Sequence, residues 1–300
     1  MIDKFKDILS VFKTAYSEWN AKDPFRQSAV IAYYSIFSIP GLLVLIIAIA
    51  GYFFGNENVN QNLIDQIGST IGQESAIQIK EMLENSTREK STVWGSIIGI
   101  SILLLGATGV FVELQKTLNM IWNVKLKAQN SYWLMLKSRL FSFGLILSIA
   151  FLLTISLVIT TALVAMGNWI KVDASQILLS IFEILNFVIS LIIISLLFAM
   201  IFKILPDAKI HWKHVWLGAL VTGILFTIGK TALSYYFGKA QPASVYGAAG
   251  SIILILLWVS YSSMILFFGA EFTAAYAKKY SGIIAPNELA KVENNPKVLI

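Results

Sequence analysis

Two ionisable side chains lie within long apolar runs of the sequence, where charge is energetically expensive and often marks function. Glu183 lies about one-quarter of the way into the run 177–202, and Lys230 about two-thirds through the run 215–237. At about 1.5 Å per helical residue, antiparallel helices would bring these side chains to similar depths in a bilayer. We therefore predict that they can form an ion pair, either on a substrate pathway or as a structural tie.

A second polar set lies near the opposite ends of the apolar runs. Glu113 and Glu271 are near the ends of two runs, and Arg139 opens a third at similar depth. These residues predict a carboxylate–guanidinium cluster at an inner gate, with Gln115 and Asn119 adding hydrogen bonds. The alternative is that the charged side chains reach water at the membrane surface.

Backbone features of the runs indicate a bend and close helix packing. Pro40 interrupts the first run, which frees a carbonyl and kinks a helix, and the hydroxyl of Ser38 can satisfy freed backbone groups. Small residues, including the pairs Gly51/Gly55 and Gly95/Gly99, allow helices to approach closely.

One short hydrophilic segment carries a set of residues with metal-ligand chemistry. Asp207, His211 and His214 are four and three residues apart. Metal sites generally need three or four converging ligands with further supporting hydrogen bonds. We favour interfacial histidines beside Trp212 and Trp216 over a metal site, and we predict neither a metal nor a cofactor.

The composition is that of a membrane protein. Hydrophobic residues make up 57% of the 300 residues and charged residues 13%, against about 25% charged in soluble domains. The chain has no cysteine, which excludes disulfides, zinc–thiolate sites and thiol nucleophiles. The net charge of +6 is spread over short segments between apolar runs, so it does not indicate nucleic-acid binding.

Six apolar runs are long enough to cross a bilayer, since about 20 helical residues suffice. They cover 30–54, 92–115, 140–165, 177–202, 215–237 and 246–276. Most of the 23 Lys and Arg residues lie before the first run, in the second-to-third and fourth-to-fifth connections, and in the tail. Because positive residues stay inside, we predict an all-α polytopic fold of six transmembrane helices with both termini cytoplasmic.

The remaining segments complete the predicted domain organisation. Residues 1–28 form a cytoplasmic segment whose apolar stripe over 3–20 predicts an amphipathic helix. It lies either on the anionic inner leaflet or against the cytoplasmic ends of the bundle. The transmembrane domain covers 29–277, with a short helical outer loop over 56–91, and the cytoplasmic tail covers 278–300.

Four stretches share an ordered pattern with a known family. They are Ala29-x-x-Ala32-Tyr33-Tyr34-Ser35-Ile36-Phe37-Ser38-Ile39-Pro40, Phe111-Val112-Glu113-Leu114-Gln115-x-x-Leu118-Asn119-x-x-Trp122, Leu205-Pro206-Asp207, and Tyr246-Gly247-Ala248-Ala249-Gly250-Ser251 with Leu257-Trp258 and Gly269-Ala270-Glu271-Phe272. Together they resemble the YihY/virulence factor BrkB family of bacterial inner-membrane proteins, once called ribonuclease BN. The resemblance implies a multi-pass protein of the bacterial inner membrane. Proposed activities in that family are transport and lipid flipping, and its ribonuclease label is generally regarded as a misassignment.

Three functions therefore compete. We expect a transporter or lipid flippase, with anionic inner-leaflet lipids and a lipid or small-molecule substrate as partners. The alternative is a structural or assembly protein of the envelope. A ribonuclease is least expected, because metal-assisted hydrolysis needs clustered ligands near a cationic groove. We predict no enzyme and no nucleic-acid partner, and a homo-oligomer stays open.

Overall fold

A computed structural model describes residues 2–38, 108–126, 176–240, 250–282, 284–287 and 290–292, with isolated positions between 61 and 80. The predicted spans 30–54 and 92–115 fall only partly within these ranges. The predicted span 140–165, together with Arg139, Pro40 and the glycine pairs at 51/55 and 95/99, lies outside the described residues.

The N-terminal part is a helix, a sharp break and a second helix. Helix α1 is Ile2–Ala21, and α2 is helical over residues 24–38. Asp23 between them has a φ of 52°, a left-handed conformation that Asp tolerates better than most residues. Pro24 disfavours a helical conformation at the residue before it and suits the first position of a helix. The pair Asp23–Pro24 thus ends one helix and starts the next.

Helix α3 covers residues 108–121. It approaches α2 closely, because a Cβ built on Gly109 would lie only 2.4 Å from Cδ1 of Tyr34. The helix ends at Ile121, and Trp122 and Asn123 form a turn in which Asn123 has a φ of 51°. This left-handed residue turns the chain into the short strand β1, Val124–Leu126.

Three long helices match the predicted fourth, fifth and sixth runs. They are α4 (Gln176–Ile204), α5 (Trp212–Ala240) and α6 (Gly250–Ser281). Their segments Ile184–Ile204, Trp212–Phe237 and Ile252–Ser281 are long and apolar enough to cross a membrane. Helix α5 packs against both α4 and α6.

Aromatic side chains mark both ends of α5. Trp212 and Trp216 are exposed near its start, and Tyr235 and Tyr236 are exposed near its end. Trp216 and Tyr235 are separated by roughly 29 Å at about 1.5 Å per residue, close to the ~30 Å thickness of a bilayer's hydrocarbon core. Tyr and Trp are enriched at membrane–water interfaces, so these pairs indicate which part of α5 fits the hydrocarbon.

The α5–α6 contact is a reciprocal exchange of threonines and glycines. A Cβ on Gly218 of α5 would lie 1.7 Å from Oγ1 of Thr273 on α6, and one on Gly269 of α6 would lie 1.9 Å from Oγ1 of Thr222 on α5. Each threonine hydroxyl donates to the carbonyl four residues earlier, Thr222 to Gly218 at 2.6 Å and Thr273 to Gly269 at 2.7 Å. Both hydroxyls are therefore satisfied within their own helix, while their side chains fill the space above the facing glycine.

A small sheet was not predicted by the all-α interpretation. Strand β1 pairs antiparallel with β2, Ala290–Val292, with Lys125 opposite Lys291. An isolated bridge joins Ala208 to Pro286. Three-residue strands are too short to show a period in sequence, so the tail gave no signal that it folds back onto the bundle.

The core lies where α3, α4, α5, α6 and the tail meet. We call this region the loop end, because it contains the α4–α5 loop at 205–211. Its fully buried side chains include Leu118 of α3, Phe202 of α4, Val215 of α5 and Phe267 of α6.

The N-terminal helix packs against α6. Its Val11 and Ala15 are buried with Phe272 of α6, and the ring centroids of Phe12 and Phe272 are 4.7 Å apart. At its end, the Trp19 ring meets Phe268 edge-on at 6.0 Å. One side of α1 therefore packs on the bundle, which was one of the two predicted surfaces, while Ile8, Leu9 and Tyr16 of its apolar stripe remain exposed.

Enlarging Gly218 should destabilise the protein, because a new Cβ would overlap Thr273. We expect Gly218→Ala to lower the free energy of unfolding by about 1–3 kcal/mol, as for other overpacked contacts, measured in mixed detergent micelles. Thr273→Gly in the same chain should restore part of the loss. Ala232→Leu, which enlarges an exposed side chain on α5, is the control and should leave stability nearly unchanged. Equal losses of stability in Gly218→Ala and Ala232→Leu would contradict the close contact between Gly218 and Thr273.

Candidate functional site: two buried polar contacts

The Asp207 carboxylate is the centre of a buried hydrogen-bond cluster. Asp207 is only 6% exposed. Its Oδ2 accepts from Asn119 Nδ2 at 2.9 Å and from Gln115 Nε2 at 3.1 Å. Its Oδ1 accepts from Asn287 Nδ2 at 2.9 Å. The backbone N–H of Asp207 in turn donates to Asn119 Oδ1 at 2.8 Å.

Three segments supply this Asp207 cluster. Gln115 and Asn119 are four residues apart, so they share one face of α3. Asp207 follows α4 in the Leu205-Pro206-Asp207 turn. Asn287 comes from the C-terminal segment, and its backbone N–H also donates to the Asp207 carbonyl at 2.9 Å. A carboxylate that accepts from amide N–H groups forms the stronger, charge-assisted kind of hydrogen bond, so the cluster ties these segments together.

No Lys or Arg of the described residues forms an ion pair with Asp207. Within the described part of the chain, the partners of this carboxylate are amide N–H groups, whose dipoles stabilise a buried negative charge. With both oxygens already accepting hydrogen bonds, this carboxylate is arranged to hold elements together.

The second contact is an ion pair between the break after α1 and helix α6. Lys22 Nζ lies 2.8 Å from Glu271 Oε1, and the side chains are 17% and 4% exposed. Glu271 lies two residues from Thr273, which packs on Gly218. Gly218 is two residues beyond Trp216, which marks the membrane interface on α5. Glu271 is at nearly the same level on α6, so it lies just inside the part of the bundle that fits the hydrocarbon.

Two further contacts hold the N-terminal helices to α6. Lys279 Nζ lies 2.6 Å from Asp7 Oδ1 in a partly exposed pair. The hydroxyls of Ser28 on α2 and Ser260 on α6 are 3.2 Å apart. From Asp7 to Ser28 the chain follows α6 in the antiparallel sense, with Lys22–Glu271 as the buried charged contact.

The predicted inner-gate residues are divided among separate contacts. Asn119 and Gln115 bind Asp207, and Glu271 binds Lys22. Glu113 instead pairs with Lys116 on its own helix at 3.4 Å, where Lys116 is exposed. Arg139 lies outside the described residues, so its part in a cluster stays a prediction.

The other predicted site residues have different outcomes. Lys230 is exposed on α5. Glu183 lies in α4, but its side chain is outside the described residues, so the Glu183–Lys230 pair stays a prediction. The Ser38 hydroxyl donates to the Ser35 carbonyl at 3.3 Å, which is not the carbonyl of residue 36 that a proline at position 40 frees, so the predicted role of Ser38 beside Pro40 stays a prediction.

The two histidines point to structural contacts. His214 is buried and its Nε2 lies 2.7 Å from Ser281 Oγ, while its ring faces Tyr276 at 5.5 Å. The His211 and His214 ring centroids are 6.3 Å apart. Across the described ranges, no group of three or more His, Cys, Asp or Glu side chains is arranged to hold a metal.

Sequence reasoning missed three members of these contacts. From sequence, Asp207 is a candidate metal ligand and part of a family-like motif, Lys22 is one of the basic residues before the first apolar run, and nothing singles out Asn287. The available signal was the presence of Asn119 and Asp207 in two of the family-like motifs. Polar residues that lie next to apolar helices are often buried, and two of them can then satisfy each other's hydrogen bonds.

Apolar helices of membrane-spanning length joined by buried polar contacts define a helical membrane protein. The chain belongs to the virulence factor BrkB family, whose model matches residues 15–292. Among its relatives, a UPF0761 membrane protein of Saccharophagus degradans is 24% identical over 275 residues, covering 89% of this chain and 60% of the relative. Those of Vibrio vulnificus (strain CMCP6) and Mannheimia succiniciproducens are 23% and 24% identical, covering 90% and 88% of this chain and 83% and 88% of theirs. No solved structure matches the chain.

Removing one partner of the Asp207 cluster should leave buried polar groups unsatisfied. We expect Asn119→Ala to lower the free energy of unfolding by about 1–3 kcal/mol. The double-mutant cycle of Asn119→Ala with Asp207→Ala should give a coupling energy of about 0.5–3 kcal/mol. Glu113→Gln, at an exposed pair on the same helix, should change stability by less than about 0.5 kcal/mol. Strict additivity in the cycle would show that the two side chains do not depend on each other.

Breaking the Lys22–Glu271 pair should have a larger effect than breaking an exposed pair. Lys22→Met leaves Glu271 buried without its cation, for which we expect a loss approaching the ~3–5 kcal/mol typical of broken buried pairs. Lys22→Met with Glu271→Met should recover most of it, since no charge is then left buried. Lys279→Met, which breaks the partly exposed pair with Asp7, should lose less than about 1 kcal/mol. Equal losses for Lys22→Met and Lys279→Met would contradict the burial of the first pair.

Proposed function

We propose that the chain is a transporter that moves a lipid or lipid-like amphiphile across the bacterial inner membrane. The observation that carries the proposal is the buried Lys22–Glu271 ion pair, which joins the N-terminal helices to a helix long and apolar enough to span. With the predicted orientation, the loop end faces the cytoplasm and this pair belongs to an inner gate.

The energetics of the pair favour a functional interpretation. Desolvating two charges offsets most of their attraction, so a buried ion pair is a poor way to gain stability. Charged residues within membrane helices are rare and mark pathways and gates. The two partners lie on different segments, 249 residues apart in sequence, and the proposal requires the pair to form and break as α1 and α2 move against α6.

The scarcity of buried charge favours an amphiphile over a soluble ion. Among the described side chains, the buried carboxylates are Asp207 and Glu271. A pathway for a soluble ion needs rows of polar or charged groups along its length. A lipid needs polar groups only for its headgroup, while its chains remain in the hydrocarbon.

The exposed side of α1 supports the predicted contact with anionic lipids. Lys6 and Lys13 are exposed there, next to the exposed apolar side chains of Leu9 and Tyr16. Apolar side chains flanked by lysines suit the headgroup region of an anionic leaflet. In this proposal α1 contacts α6 with one face and the inner leaflet with the other.

Reconstitution tests the proposal directly. In liposomes, the chain should accelerate the transfer of a labelled phospholipid between leaflets without releasing a trapped soluble dye. Glu271→Gln should slow this transfer about tenfold or more, the effect of losing roughly 1.4 kcal/mol in the rate-limiting step. Lys279→Gln, at the partly exposed pair on the same interface, should leave the rate within twofold.

Transfer no faster than in protein-free liposomes would contradict the proposal. If the chain then also copurified with a stoichiometric envelope protein, the assembly function would take its place. An unchanged rate of lipid transfer in Glu271→Gln would show that transport does not depend on the Lys22–Glu271 ion pair.

A further inference from the structure

A groove between α4 and α5 lies away from the buried polar contacts. It encloses about 680 Å³, within the range of small-molecule sites. Phe187 and Leu191 of α4 form one wall, and Ile224 and Ile228 of α5 form the other. Ile228 is 63% exposed and Phe187 56%, so the groove is accessible from the outside of the described bundle.

The lining of the groove is apolar at one end and aromatic at the other. On α5 its lining runs from Ile224 to Tyr235, about 16 Å at the rise of an α-helix. The Ile224 end is apolar and lies deep in the part of α5 that fits the hydrocarbon. Tyr235 at the other end belongs to the aromatic pair that marks the membrane interface.

A lysine stands over the interfacial end of the groove. Lys239 Nζ lies 4.8 Å from the centroid of the Tyr235 ring, one helical turn beyond it. This position corresponds to the headgroup region. Among the residues the structure describes, no carboxylate forms an ion pair with Lys239.

Lys230, the other lysine on this half of α5, does not share the site. It precedes Lys239 by nine residues, and at about 100° per residue the two lie on opposite sides of the helix. Among the residues that the structure describes, Lys239 is therefore the cation beside the groove, at the end where a lipid phosphate would lie.

We propose that this groove binds an anionic phospholipid, with an acyl chain between α4 and α5 and the phosphate held by Lys239. The apolar walls match the chain, the aromatic ring lies at the glycerol level, and the ammonium group matches the phosphate charge. With the predicted orientation, the lipid belongs to the outer leaflet. The inference deepens the proposed function by naming its substrate class, and it rests on that function only in calling the lipid a substrate.

Native mass spectrometry of the purified full chain tests the site, with phosphatidylglycerol and phosphatidylcholine as probes. The wild-type chain should retain phosphatidylglycerol about tenfold more tightly than phosphatidylcholine, the difference one charged contact commonly provides. Lys239→Met should abolish this preference and Lys239→Arg should keep it. Lys278→Met, at an exposed lysine in the last turn of α6, is the matched control and should keep it too.

A groove-filling variant tests the place of the acyl chain. Ala232→Trp adds bulk at the accessible lining of the groove and should reduce retention of both lipids, while its thermal unfolding temperature stays that of wild type. Equal retention of both lipids by the wild type, or a preference that survives Lys239→Met, would overturn the site. A dimer that excludes lipid, and that Ala232→Trp dissociates, would assign the groove to a second copy of the chain and would also overturn it.

The test is independent of transport. Lysine-dependent lipid binding without transfer between leaflets would keep the site and remove the proposed function. Transfer at the wild-type rate in a Lys239→Met chain that has lost its lipid preference would keep the function and show that this lipid is not its substrate.

Discussion

The burial of charge in an apolar bundle is the constraint on which the rest of the structure depends. Asp207 and Glu271 are both buried, and each needs partners that water cannot supply there. The two are satisfied differently. Asp207 takes three amide donors from α3 and the tail, whereas Glu271 takes one lysine from the break after α1. Amides therefore join Asp207 to two other segments, whereas the described partner of Glu271 is a single lysine; in the proposed function, the lysine contact is the one that breaks and forms again.

The helix contacts around Asp207 and Glu271 also differ in how tightly they are packed. Helices α5 and α6 meet through threonines that fill the space above glycines, so the two helices cannot slide without collision. The tail is held to the loop end by Asn287, by the Ala208–Pro286 bridge and by the β1–β2 pairing. Among the described residues, α1 and α2 contact α6 through one buried ion pair, a partly exposed lysine bound to Asp7 and Ser10, one hydroxyl–hydroxyl contact and a small apolar cluster around Phe272. In the proposed function, this interface is where the conformational change takes place.

The amino-acid sequence predicted the elements better than their contacts. Helices α4, α5 and α6 were predictable because long apolar runs need helical hydrogen bonding in lipid. The N-terminal helix was predictable from its apolar stripe. The Lys22–Glu271 pair was not, because its partners are far apart in sequence and Lys22 resembled any other lysine before a first span. Paired glycines in the sequence also did not predict the α5–α6 contact, because each glycine there faces a threonine of the other helix.

In the proposed function, lipid transport requires α1 and α2 to separate from α6. The chain has no cysteine, so a single designed disulfide can test it. Ser28 Oγ and Ser260 Oγ are 3.2 Å apart, so Ser28→Cys with Ser260→Cys brings two thiols close together, and oxidation should join them in a disulfide with an S–S bond of about 2 Å. The measurement is phospholipid transfer in liposomes before and after reduction of this bond. Loss of transfer when oxidised, with recovery on reduction, is the predicted result; full transfer by the cross-linked chain would contradict the account.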